Sequence, residues 1–121
     1  MNNKKLGTAW ENEFCKILAK QGFWVHFISP NMAGAQPFDV IAVKGGIAYA
    51  YDCKTSAKHI FSIDRLEDNQ IMAFEKWIKC GNTMPQIAIR YQNKMYLIPY
   101  DYLKASNKIN LDNIEGQIIG N

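Results

Sequence analysis

The chain has 121 residues, 48% of them apolar and 21% charged, with a formal charge of +3. That is the size and make-up of one globular domain with a real core, not of a disordered segment. No run approaches the roughly 18 consecutive apolar residues of a membrane span, so no membrane role is expected.

The opening stretch, Met1 to Phe14, has lysines but no uninterrupted apolar region, so a signal peptide is not expected. Cys15, Cys53 and Cys80 are an odd, widely spread set. They predict reduced thiols in a cytoplasmic protein and lack the paired spacing of a zinc site.

Lys5 to Gln21 predicts an amphipathic helix, with Leu6, Trp10, Phe14, Ile17, Leu18 and Gln21 on one face and Gly22 ending it. Phe23 to Ile28 is a short strand in which His26 reads as structural. Ser29 to Pro37 is a loop by its Pro, Gly and Asn content. Two apolar strands follow, joined by Gly45-Gly46. Thr55 to Asp64 is a less regular connection, with Lys58, His59 and Arg65 at or near its end. Glu67 to Cys80 makes a second helix that buries Ile71, Phe74, Trp77 and Ile78, with Asp64 as its cap and Gly81 after its last turn. Pro85 to Tyr91 and Lys94 to Tyr100 form a second hairpin around Gln92-Asn93. Asp101 caps a short helix, Tyr102 to Ala105. Trp10, Trp24 and Trp77 read as core.

The order α-β-β-β-α-β-β predicts an α/β fold, a mixed sheet flanked by helices. Residues 1–105 are expected to form the domain. Residues 106–121 are expected to be a tail, with Leu111, Ile114, Ile118 and Ile119 packing on that domain or on a partner.

The first hairpin carries the chemistry. A two-residue Gly-Gly loop pairs Lys44 with Ile47 and, counting outward, sets Asp39 opposite Asp52. Opposed residues share a face with Cβ atoms about 4.5–5.5 Å apart, and Lys54 points to that same face. Two opposed carboxylates repel unless a cation lies between them. Hard oxygen ligands suit Mg2+, and a lysine beside them can orient water or stabilise a charged transition state. Cys53 alternates away from this face and reads as core. If three acids hold metal, 14 basic residues against the remaining eight acidic ones leave +6, a surplus suited to a polyanion. Lys4, Lys5, Lys58, His59 and Arg65 would flank the metal face as phosphate contacts.

This hairpin resembles the core of the PD-(D/E)xK nuclease superfamily, whose fold is restriction-endonuclease-like. The matching residues are Pro37-Phe38-Asp39, with Phe between Pro and Asp, and Asp52-Cys53-Lys54, with Asp in place of the more frequent Glu. Gly7-Thr8-Ala9-Trp10-Glu11, then Gly22-Phe23, is similar to the opening of Holliday junction resolvases of the archaeal Hjc type and the bacterial RecU type. Their Gly lies four residues before the Glu that completes the metal site. That rule selects Glu11; Glu13 projects nearer the middle of the apolar face and stands as the substitute. The resemblance also implies a site-directed Gln70 and a loop Ser29 near the scissile phosphate. The short loop 29–37 is closer to the archaeal enzymes.

The resulting expectation is a metal-dependent DNA endonuclease acting on four-way junctions. Glu11, Asp39, Asp52 and the Cys53 carbonyl would hold Mg2+ or Mn2+, and Lys54 and Gln70 would complete the catalytic set. Symmetric cutting needs two active sites, hence a homodimer. The alternatives are a phage- or restriction-type nuclease with another DNA target and a non-catalytic DNA-binding module.

Overall fold

The structure, a computed structural model, describes residues 3–28 and 37–119. The chain runs α1 (Asn3–Lys20), β1 (Trp24–Phe27), β2 (Val40–Lys44), β3 (Ile47–Ser56), β4 (Ile60–Ser62), α2 (Asp68–Lys79), β5 (Gln86–Tyr91), β6 (Lys94–Pro99), α3 (Tyr100–Ser106), β7 (Lys108–Asn110) and β8 (Gln117–Ile118). Six strands form one sheet in the order β1-β2-β3-β5-β6-β8, and β4 and β7 form a second, two-stranded sheet. Among the described residues only β3 and β5 run parallel; the other pairs are antiparallel. A parallel pair needs a long crossover, and here β4 and α2 supply it.

The six-stranded sheet separates two cores. On one face Trp10, Phe14 and Leu18 of α1 pack with Val40, Ala42, Tyr51 and Ala88. The Trp10 indole N–H donates to the Ala88 carbonyl at 3.0 Å, which satisfies a buried donor and ties the helix to the central strands. On the other face Phe74 of α2 and Leu103 of α3 meet Ile87, Ile89 and Phe61. The expected α/β mixed sheet flanked by helices is therefore the observed architecture.

Several local expectations are corrected. Asp64 does not cap α2; it is exposed in a 3-10 turn, Ile63–Arg65. Glu67 is the N-cap, and its side chain and that of Gln70 exchange hydrogen bonds with each other's backbone N–H. Asp101 does not precede α3, because the helix starts directly after Pro99 at Tyr100. The connection after Lys54 is more regular than expected, since β3 continues to Ser56 and β4 follows. Gln21 is exposed beyond the end of α1.

Trp24 is not core. It is 62% exposed and stacks on the exposed His26 with ring centroids 6.1 Å apart. β1 is an edge strand, and only its Val25–Phe27 face packs towards α1. The tail turns back on its own chain. β7 pairs with β4, and β8 pairs with β6.

Candidate active site

Gly45 and Gly46 both take positive φ, 61° and 77°, which suits a tight hairpin turn and favours glycine at both positions. The turn fixes the register from Lys44↔Ile47 to Val40↔Tyr51. Just beyond the last rung, the Asp39 N–H donates to the Tyr51 carbonyl at 3.0 Å, and the Asp39 carbonyl accepts from the Ile28 N–H at 2.8 Å. Asp39 Oδ2 accepts the Cys53 N–H at 2.7 Å. The Asp39 carboxylate is thus anchored at the backbone between Asp52 and Lys54.

Asp52 is fully buried. Its Oδ1 accepts from the Gln70 amide at 2.9 Å. Its Oδ2 lacks a hydrogen-bond donor; Lys54 Nζ lies 3.3 Å away, an ion-pair contact not aligned as a hydrogen bond. Burial pushes the Asp52 carboxyl well above the usual range, the Asp39 charge adds to this, and Lys54 opposes it. Glu11, half-buried on α1, hydrogen-bonds Asp39. Burial first, then the charge and hydrogen bond of Asp39, push it up to about 7.

Asp39 therefore links Glu11 to Asp52. Three carboxyl groups this close raise one another's pKa, as like charges do. Among the described residues no three acidic, histidine or cysteine side chains converge on one ion position. A cation among them would relieve that repulsion. The hard oxygen donors, with the fully buried Asp52 paired to Lys54 and beside Asp39, suit a Mg2+-type ion.

Gln70 organises the site from α2. Its Oε1 accepts from Lys54 Nζ at 3.3 Å and from the Glu67 N–H at 2.9 Å, while its amide holds Asp52. One buried side chain therefore both starts the helix and orients the acid and the lysine. The Cys53 side chain is partly buried against the α1 core, and burial followed by the nearby acids pushes its thiol up. Glu13 forms an ion pair with Arg90, so of the two helix acids it is Glu11 that reaches the aspartates.

A cavity of about 630 Å³ opens beside Lys54, bounded by Gly7, Ser56, Arg65, Arg90 and Gln92. Arg65 donates to the Thr55 carbonyl at 2.8 Å, with its guanidinium over the Phe61 ring. Lys58 lines a neighbouring cavity of about 330 Å³ that shares Ser56 and Arg65. His59 lines neither; its carbonyl accepts from the Leu111 N–H at 2.7 Å. Lys4 and Lys5 belong to the first turn of α1, but their side chains lie outside the described residues, as does Ser29 altogether. No local sequence signal marks Arg90. It reaches this cavity because parallel pairing sets it beside Thr55, and nothing local encodes that pairing.

The family model described as "Archaeal holliday junction resolvase (hjc)" matches residues 2–120. The chain belongs to that family. The resemblance read from Gly7–Glu11 and the hairpin thus resolves to the archaeal type, and the protein is a Holliday junction resolving nuclease. Among its relatives is the crossover junction endodeoxyribonuclease Hjc of Methanocaldococcus jannaschii, 30% identical over 102 residues, 84% of this chain and 71% of that protein. The solved structure of Archaeoglobus fulgidus Hjc, a Holliday junction resolvase from an archaeal hyperthermophile, superposes with a TM-score of 0.69. It is 18% identical, with 92% of this chain and 93% of that one covered, and it establishes the shared fold. Among the described residues no helix is long and apolar enough to cross a membrane.

Proposed function

We propose that this resolvase cuts four-way DNA junctions by metal-dependent hydrolysis, with Glu11, Asp39, Asp52 and the Cys53 carbonyl holding Mg2+ or Mn2+. The observation that carries the reading is Asp52 Oδ2, a buried carboxylate oxygen without a hydrogen-bond donor, beside a second aspartate and a lysine. Such an oxygen is costly to bury unless a cation takes it up. When bound, the ion would polarise a phosphate oxygen and lower the pKa of a coordinated water.

The remaining steps fall to the protein's own groups. Lys54, steadied by Gln70, directs its ammonium to the reacting phosphate, orienting the attacking water and offsetting the negative charge that builds up. Gln70 fixes Asp52 by its amide so that one oxygen stays available. Asp39, anchored on the Cys53 N–H, holds its carboxylate between Glu11 and Asp52, where the ion would bind. Arg65 and Lys58 bind flanking phosphates without reading sequence. Lys4, Lys5, His59 and Ser29 are proposed as further DNA contacts. Paired cuts require two sites, so the working form is a homodimer.

The test is a cleavage panel of junction, flap, duplex and single strand, with and without Mg2+ or Mn2+, alongside sedimentation of the free protein. The reading expects selective junction cutting that needs metal, by a dimer. Equal cutting of linear duplex points to a nuclease with another target. Binding without cutting in either metal points to a DNA-binding module.

A further inference from the structure

Among the described residues, the cavity beside Lys54 is lined by three cations, Lys54, Arg65 and Arg90, and by no acidic side chain. Each cation is already engaged, but not in the same way. Lys54 is held inside the site by Asp52 and Gln70, and Arg65 is held by a backbone carbonyl of β3. Arg90 alone is paired with a carboxylate outside the site, that of Glu13 on α1. Glu13 lines a separate groove on the other side of that pair, along α1 and β8.

The two side chains are 36% and 35% exposed, so the pair sits at the solvent boundary, where an ion pair is weak and exchangeable. A phosphate entering the cavity offers Arg90 two negatively charged oxygens, as the carboxylate does.

We propose that Glu13 stands in for a DNA phosphate at Arg90: it occupies the guanidinium in the free protein and gives way to the backbone of the bound strand. Resting on the proposed DNA-cleaving function, this makes Glu13 a positioning residue that acts through Arg90. Its presence weakens indiscriminate DNA binding, because every strand must displace it before gaining the third cation. A strand held also at Lys54 and Arg65 displaces it more readily than one that touches the cavity in passing. Glu13 thereby sets a threshold for engagement at the site, apart from the chemistry performed by Glu11, Asp39 and Asp52.

The experiment measures binding of a labelled four-way junction and a labelled linear duplex without divalent metal, across a range of salt. Wild type, Glu13→Gln, Arg90→Ala and the double variant are compared. Glu13→Gln should bind duplex tighter by up to about fivefold, the ceiling for an exposed ion pair. Its log affinity against log salt should steepen by about 0.9, the increment for one more phosphate contact. The junction-to-duplex preference should fall. In the Arg90→Ala background, Glu13→Gln should change neither quantity.

Unchanged affinity and salt slope in Glu13→Gln overturn the proposal. So does weaker binding with wild-type slope, which marks the pair as a structural tie, and so does a gain that persists without Arg90. Wild-type protein that binds neither DNA overturns the functional reading, and the inference falls with it.

Discussion

The carboxylate of Asp39 accepts the backbone N–H of Cys53 at 2.7 Å, so a side chain takes up a main-chain donor at the point where the hairpin opens into the site. This bond separates two effects of substitution. Asp39→Asn keeps an acceptor oxygen for that N–H and removes the charge; folding should be retained while metal-dependent cleavage is lost. Asp39→Ala leaves the N–H unsatisfied and should cost about 1–2 kcal/mol of stability as well. Denaturant unfolding of both variants beside cleavage assays checks the split. Equal stability loss in the two would contradict the anchoring role.

Glu11 gives a pH dependence with an unusual sign for a carboxylate. Its pKa is raised from 4.5 to about 7, so between those values the folded protein binds more protons than the unfolded chain. Without metal, this stabilising contribution is full below about pH 4.5 and is lost as pH rises through about 7; the raised Asp52 acts in the same direction. Divalent metal should add stability that grows over the same interval, because the ligands must give up their protons to bind it. Thermal melts in chelator and in Mg2+, across that range, measure both trends. Glu11→Gln should flatten both; a metal-free protein whose stability climbs from pH 4.5 to 7 would disagree.

Gln70 touches three groups at once, and its replacement should have a compound effect. Gln70→Ala removes half of the capping pair of α2 and the amide that holds Asp52. Loss of about 1 kcal/mol of stability and a fall of about 10- to 100-fold in cleavage are expected. Gln70→Glu retains the acceptor for Lys54 and the Glu67 N–H but loses the donor to Asp52, so it should restore more stability than activity. Equal rescue of both would remove Gln70 from the site.

Lys54 is held at 3.3 Å from both Asp52 and Gln70. Lys54→Ala should lower the single-turnover cleavage rate by about 100- to 1,000-fold, the range for losing one transition-state stabilising group. Junction affinity should change far less. A variant that loses binding in proportion to rate would make Lys54 an anchor for DNA and not part of the chemistry.

Much of the site was legible because it depends on local geometry. A two-residue Gly-Gly loop leaves one register, which runs from Lys44↔Ile47 to Val40↔Tyr51 and brings Asp39 to the end of that ladder, where its N–H meets the Tyr51 carbonyl and its side chain the Cys53 N–H. The three-and-four spacing of Trp10, Phe14 and Leu18 likewise marked the buried face of α1. What the sequence hid was long-range. Trp24 has the look of a core residue, and only the strand order makes β1 an edge. Arg90 meets Thr55 through a parallel pairing across α2, which no local pattern encodes. Asp64 is a better cap by residue type than Glu67, but a 3-10 turn intervenes and the helix starts later, where Glu67 and Gln70 can bond reciprocally. The short strands β4 and β7 pair with each other across the second half of the chain, so neither is readable without the other.

The central claim is that the acids of α1 and the hairpin grip one cation. Crystals soaked in Mn2+ test it directly through anomalous scattering. The account predicts a peak in bonding contact with carboxylate oxygens of both Asp39 and Asp52, with Glu11 drawn towards it, and no such peak in Asp52→Asn. A Mn2+ ion bound elsewhere, or none at millimolar concentration with the Glu11–Asp39 hydrogen bond intact, would contradict it.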